Sequence, residues 1–170
     1  SDTGYIDSIP NAKKPRYRVP KKKVPTLDEI STMLKWAQSS DYVEQEITNI
    51  LYFLFYTGVR IGEARALTVS DIDLDEGTVR INKRLYNNKL NSTKNESDLL
   101  IPIHRALVPI LINQIERNKK LFADNDDVLF RSSHSGKTVS LSYVRNRLRM
   151  IAKESLGLSE GISAHSFRKA

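Results

Sequence analysis

Residues 43–58 restrict the fold more than any other part of this sequence. Val43, Ile47, Ile50, Leu51, Leu54 and Phe55 recur at the three- and four-residue spacings of an α-helix, and Gly58 stands where a left-handed residue would end it. A helix this apolar, read from about Tyr42, must be largely buried, so other helices have to cover it. One domain's worth of chain is available for that: 170 residues, 39% of them hydrophobic, which is enough to enclose a core.

The neighbouring segments supply the cover. Thr26-Leu27-Asp28-Glu29 has the form of a capping box, in which the Thr26 hydroxyl and the Glu29 carboxylate satisfy the first free amides of a helix. Ile30, Met33, Leu34 and Ala37 give that helix one apolar face. After Gly58 a short helical turn runs from Glu63 to Leu67. Residues 71–74, the turn Asp75-Glu76-Gly77 and residues 78–81 then alternate as a β-hairpin does. Residues 87–97 are polar and offer almost nothing to a core, so they read as an exposed loop leading to an apolar strand at 99–103. Pro102 cannot donate to a ladder, which puts that strand at a sheet edge. Helical periodicity resumes with Leu107, Ile110, Leu111, Gln114 and Ile115. Val128-Leu129-Phe130 is a brief apolar run, Ser140 can cap a helix bearing Leu141, Val144, Leu148 and Ile151, and a last helix starts near Ser163. The expected class is mainly α with a small antiparallel β-sheet inserted.

Composition removes several kinds of chemistry. With no cysteine there is no disulfide framework, thiolate zinc site or cysteine nucleophile, and the three histidines, His104, His134 and His165, are scattered. No metal and no cofactor site is expected. No apolar run approaches the roughly 20 residues of a membrane span, so we expect a soluble, intracellular protein without membrane contact.

The charge is uneven. Net charge is +7, and residues 1–23 hold Lys13, Lys14, Arg16, Arg18, Lys21, Lys22 and Lys23 against Asp2 and Asp7, a local +5. Pro10, Pro15 and Pro20 keep this stretch extended. It reads either as a strap on nucleic-acid phosphates, which gains affinity by counterion release, or as a solvated tail. We take residues 1–24 as a basic linker and 25–170 as the folded domain.

Four positions carry a cation or an imidazole against the local pattern. Arg60 follows the buried helix and lies between Gly58 and Gly62; the bland reading is an ion pair with Glu63 at a helix start. Lys94 sits in the polar loop, where a lysine is ordinarily just solvated. His165 and Arg168 are three apart, which on a helix puts both on one face. Arginine's planar fork suits a phosphate and histidine can exchange a proton near neutral pH, although such a pair also arises by chance. A non-catalytic DNA-binding module, using the cations Arg145, Arg147, Arg149 and Lys153 of the helix after Ser140, and a helical protein-interaction domain are the alternatives.

Taken in order, the motifs resemble the catalytic domain of the tyrosine recombinases, the family of phage and conjugative-transposon integrases and Xer-type resolvases. Thr57-Gly58-Val59-Arg60-Ile61-Gly62-Glu63 looks like that family's first box. Thr93-Lys94-Asn95-Glu96-Ser97 followed by Ile101-Pro102-Ile103 looks like its β-hairpin lysine motif, and Ala164-His165-Ser166-Phe167-Arg168 looks like the start of its second box. The resemblance implies the fold of the DNA breaking-rejoining enzymes, incomplete at the C-terminus, and site-specific DNA strand transfer through a 3′-phosphotyrosine, without metal or cofactor. Arg60 and Arg168 would clamp the phosphate, Lys94 would protonate the leaving oxygen and His165 would handle the nucleophile's proton. Residues 1–24 would be the interdomain linker along DNA.

The family's later His or Trp and its nucleophilic Tyr lie downstream of the second box, whereas all seven tyrosines here precede it and the sequence stops at Ala170. We therefore expect a piece of a longer polypeptide, inactive alone and monomeric. The resemblance implies double-stranded recombination-site DNA as partner, four protomers on paired sites, and a cytoplasmic, bacterial or phage-encoded protein.

Overall fold

Residues 24–92, 98–123, 126–158 and 162–168 are described by the structure, a computed structural model. The basic stretch 1–23 and Lys94 lie outside the described residues. The elements are α1 (Leu27–Ser39), α2 (Gln45–Thr57), α3 (Ile61–Ala66), a 3-10 turn (Val69–Asp71), β1 (Ile72–Asp73), β2 (Thr78–Ile81), β3 (Lys83–Tyr86), β4 (Lys89–Ser92), β5 (Leu99–Pro102), α4 (Val108–Leu121), α5 (Leu141–Leu156) and a 3-10 turn (Ala164–Arg168).

α2 is the centre of the core. Ile47, Ile50, Leu51, Phe53 and Leu54 are all but inaccessible, and Phe53 meets Phe130 edge-on at 5.5 Å between ring centres. α1, α4 and the last 3-10 turn pack on α2, while α5 packs on α1. Gly58 ends α2 with φ +63°, a left-handed C-cap. At α1 the Glu29 amide donates to the Thr26 hydroxyl at 3.2 Å and the Thr26 amide to the Glu29 carboxylate at 2.9 Å, which is the capping box expected from the sequence. Ser140 caps α5 by accepting from the Tyr143 amide.

α2 starts at Gln45, three residues later than its apolar period suggests. Residues 41–43 instead form a turn, the Tyr42 amide donating to the Ser40 hydroxyl. Glu44 is fixed from α5: Arg147 Nε donates to it at 2.9 Å and the Tyr143 hydroxyl also donates to it. That tie holds Glu44 extended at the N-cap.

Polar contacts run through the core in series. Asn49 Nδ2 donates to Gln114 Oε1, Gln114 Nε2 to Asn118 Oδ1, and Asn118 Nδ2 to the Leu129 carbonyl, which joins α2, α4 and the 128–130 run. Fully buried Glu46 accepts from the Ser133 amide (2.7 Å) and hydroxyl (2.8 Å), and Arg117 Nη2 lies 2.8 Å from its other oxygen as an ion contact.

The sheet expectations hold in part. β1, β2 and β5 form an antiparallel three-stranded sheet in that order, so the strand with Pro102 is at an edge. The polar stretch after Tyr86, expected as a loop, begins instead as part of a second hairpin, β3 with β4, pairing Lys83 with Ser92 and Tyr86 with Lys89. Its turn is Asn87-Asn88, at φ 48° and 57°. Two asparagines in the left-handed region make a tight primed turn, which follows strand twist.

Asp71 links the sheets to the helices. Its Oδ2 accepts from the Thr68 amide (2.8 Å) and hydroxyl (2.7 Å), and Lys83 Nζ approaches to 2.7 Å. Burial alone would raise this carboxyl's pKa; Lys83 and Thr68 outweigh it and hold the pKa below the usual aspartate value. A carboxyl depressed in the folded state stabilises the protein above the unfolded value of about 3.9 and loses that contribution as pH falls through the folded value. Asp71→Asn is therefore expected to lower stability at pH 7 and to flatten the acid limb below about pH 4, measured as urea midpoints from pH 6 to 2. An unchanged acid limb would refute this.

Candidate active site

Arg60 stands between α2 and α3, in extended backbone (φ −73°, ψ 147°). Buried Val59 and Ala64 anchor the chain on either side, leaving the Arg60 side chain 63% exposed. The Arg60 amide donates to Glu63 Oε2 at 2.8 Å, and Nη1 donates to Oε1 at 3.1 Å. The ion pair considered from sequence is thus present, and one carboxylate both starts α3 and steers the guanidinium. Glu63, itself only 12% exposed in its side chain, belongs to the arrangement around Arg60.

His165 and Arg168 lie on the last 3-10 turn, not on the α-helix expected near Ser163. The difference favours the pair: at three residues per turn, positions i and i+3 eclipse. Ala164, Ser166 and Phe167 are buried while His165 and Arg168 are exposed. The Ser163 amide donates to the Ser166 hydroxyl at 3.1 Å and closes the turn. Phe167 joins the core cluster, so the turn is pinned by its apolar side and shows its cationic side to water. This turn packs on α2, whose chain continues through Gly58 to Arg60.

Lys94 falls outside the described residues. It belongs to the connection from β4, which ends at Ser92, to β5, which starts at Leu99. The β3–β4 hairpin is seated on α3, the helix Arg60 opens. Two features of that seat carried no signal as chemistry in the sequence: Gly62, against which Leu85 packs, and Arg65, which is buried. Arg65 Nε donates to the Val139 carbonyl at 2.7 Å, and burial, with Arg145 nearby, pulls its pKa below the usual arginine value.

The residues of the alternative DNA-binding helix divide. Arg145, Arg149 and Lys153 are exposed on α5, whereas Arg147 is engaged with Glu44 and Tyr143. Tyr143 is likewise no free nucleophile: burial and its hydrogen bond to Glu44 push its pKa above the ordinary phenol value, so the reactive phenolate is disfavoured. Among the described residues no group of three or more His, Cys, Asp or Glu side chains could hold a metal ion, and no helix is long and apolar enough to cross a membrane.

A family profile described as the phage integrase family matches residues 23–170. The chain belongs to the phage integrase family. Among its relatives, the tyrosine recombinase XerC of Proteus mirabilis is 27% identical over 139 residues, covering 82% of this chain and 40% of the relative. The tyrosine recombinase XerD of Halalkalibacterium halodurans is 26% identical over 170 residues, covering 99% of this chain and 51% of the relative. This family member thus spans about two-fifths and about half of the length of these two curated relatives. In fold it resembles the Tn1549 transposon integrase in complex with circular intermediate DNA, with a TM-score of 0.76 at 18% identity, covering 89% of this chain and 53% of that one. The mainly helical fold with small antiparallel sheets is therefore that of the tyrosine recombinases.

Proposed function

We propose that this chain is catalytic-domain sequence of a site-specific DNA recombinase or integrase, which cleaves and rejoins double-stranded DNA through a 3′-phosphotyrosine. One observation carries the reading. The first and last boxes of the resemblance lie inside the family match, and in each the phosphate-seeking side chains are exposed while their neighbours are buried or half-buried: Arg60 in one, His165 and Arg168 in the other.

The chemistry needs no bound metal. A tyrosine oxygen attacks the phosphorus; the new P–O bond forms as the bond to the 5′-oxygen breaks. The phenol's proton passes to His165, and Lys94 gives a proton to the departing 5′-oxygen, so charge is conserved. Negative charge on the two non-bridging oxygens is met by Arg60 and Arg168. A 5′-hydroxyl from a second strand reverses the step. Residues 1–24 act as a basic linker along the phosphates, 25–170 as the catalytic domain, and four protomers assemble on paired sites, with the isolated chain monomeric.

The test is covalent trapping on nicked suicide duplexes. The full-length protein forms an adduct that survives denaturation, and the 170-residue chain, having no tyrosine after Arg168, forms none. The chain alone still binds duplex DNA, with an affinity that falls as salt rises. An adduct from the 170 residues would show that the nucleophile is not downstream of Arg168, whereas salt-independent binding, or none at low salt, would overturn the DNA-recombinase reading.

A further inference from the structure

Several cations enclosed by this domain face a carboxylate: Arg117 lies 2.8 Å from Glu46, Lys83 lies 2.7 Å from Asp71, and Arg147 is paired with Glu44. Arg65 is held differently. Only 4% of it is exposed, yet its hydrogen bonds go to neutral oxygens: Nε donates to the Val139 carbonyl at 2.7 Å and Nη2 to Asn88 Oδ1 at 3.3 Å. Among the described residues no acid offsets its charge, and the charge that acts on it is that of another cation, Arg145 of α5. An arginine cannot shed its proton to escape the cost of burial. A buried guanidinium with a like charge beside it and no counterion is a group made ready for an anion.

The donors left over are placed to receive one. Arg65 Nη1 makes no hydrogen bond among the described residues and is not one of the enclosed, unpaired nitrogens. Arg145 and Asn88 are exposed, one on α5 and the other at the tip of the β3–β4 turn. We infer that Arg65, Arg145 and the Asn88 amide form a second anion site, which takes a DNA-backbone phosphate other than the one between Arg60 and Arg168. The inference rests on the recombinase reading given above and adds a phosphate to it. Arg65 lies five residues beyond Arg60, which opens the same helix, so it stands about 7.5 Å further along the helix axis. The two arginines therefore serve different phosphates. The site is the type that favours arginine, since a planar fork fixed at Nε still offers parallel N–H groups to a phosphate.

The experiment is duplex binding by the full-length protein, titrated across salt concentrations. Arg65→Met removes the charge and keeps an unbranched side chain. It should weaken binding whatever the DNA sequence and reduce the slope of log affinity against log salt by about one, so that its gap to wild type closes about tenfold per decade of added salt. Arg145→Ala should do the same, and the double variant should lose little more slope than either single one, because both arginines meet one phosphate. An Arg65 that merely ties Val139 to the hairpin would lower the melting temperature on replacement and leave the salt slope unchanged; that result overturns the inference. Should Arg65→Met not fold, inorganic phosphate decides. In an Arg60→Ala, Arg168→Ala background it should raise the melting temperature above that in chloride of equal ionic strength, and Arg145→Ala should abolish the rise. No rise overturns the inference, as does a rise in a protein whose DNA salt slope ignores Arg145→Ala, which would mean that free phosphate and not DNA is bound. Failure of the recombinase reading looks different: wild-type binding would then be absent or indifferent to salt.

Discussion

Replacing Arg168 by alanine in the full-length protein is expected to slow covalent DNA cleavage by at least 100- to 1,000-fold, with Arg60→Ala comparably severe. The estimate follows from removing one fixed donor aimed at developing negative charge, worth about 3–4 kcal/mol where measured. Both guanidiniums are presented by anchored backbone, so little of their positioning is left to chance. Binding of duplex DNA should weaken far less, since each arginine is one cation among many along the phosphates. Arg168→Lys should restore only part of the rate, because an ammonium cannot make the paired, planar contact of a guanidinium. A loss below tenfold in both alanine variants would mean the phosphate is clamped elsewhere.

The largest stability effect is expected at Arg117. Glu46 is fully buried and Arg117 is its countercharge. Arg117→Ala leaves a buried carboxylate compensated only by Ser133, and breaking such a pair from one side costs about 3–5 kcal/mol. In a Glu46→Gln background, where the Ser133 bonds can persist and no charge remains, Arg117→Ala should cost much less. A double-mutant cycle in urea measures the difference directly, and additive losses would show that the ion pair is not what Arg117 contributes.

Elements whose own residues determine them were legible in the sequence. The α1 capping box, the Gly58 stop, the Ser140 cap and the edge placement of Pro102 all follow from local chemistry, and all appear as expected. What was missed depends on partners distant in sequence. α2 begins at Gln45 because Glu44 is held across the domain by Arg147, 103 residues away. The β3–β4 hairpin was hidden by its polar composition: Leu90 is exposed, and no apolar alternation marks β4, whose four residues all face solvent. The signal that could have found it is the Asn87-Asn88 pair between Lys83–Tyr86 and Lys89–Ser92. Of the candidate site only residue types and their order were legible: His165 and Arg168 share a turn packed on α2, and Arg60 is exposed just beyond that helix, while Lys94 falls outside the described residues. Gly62 was legible as a glycine beside Arg60 but its approach to Leu85 was not, and Arg65 gave no warning, since a specific close contact and a buried guanidinium are properties of the packed molecule.

The 3-10 geometry of the last turn also makes its spacing unforgiving. Each residue advances the chain by about 120° and about 2 Å, so His165 and Arg168 lie in angular register, offset along the axis by roughly the width of a phosphate group. Inserting a single residue between them would swing the arginine a third of a revolution away, and deleting one would point it toward the side that Phe167 buries. Length changes here should therefore be tolerated much less than substitutions at Ser166.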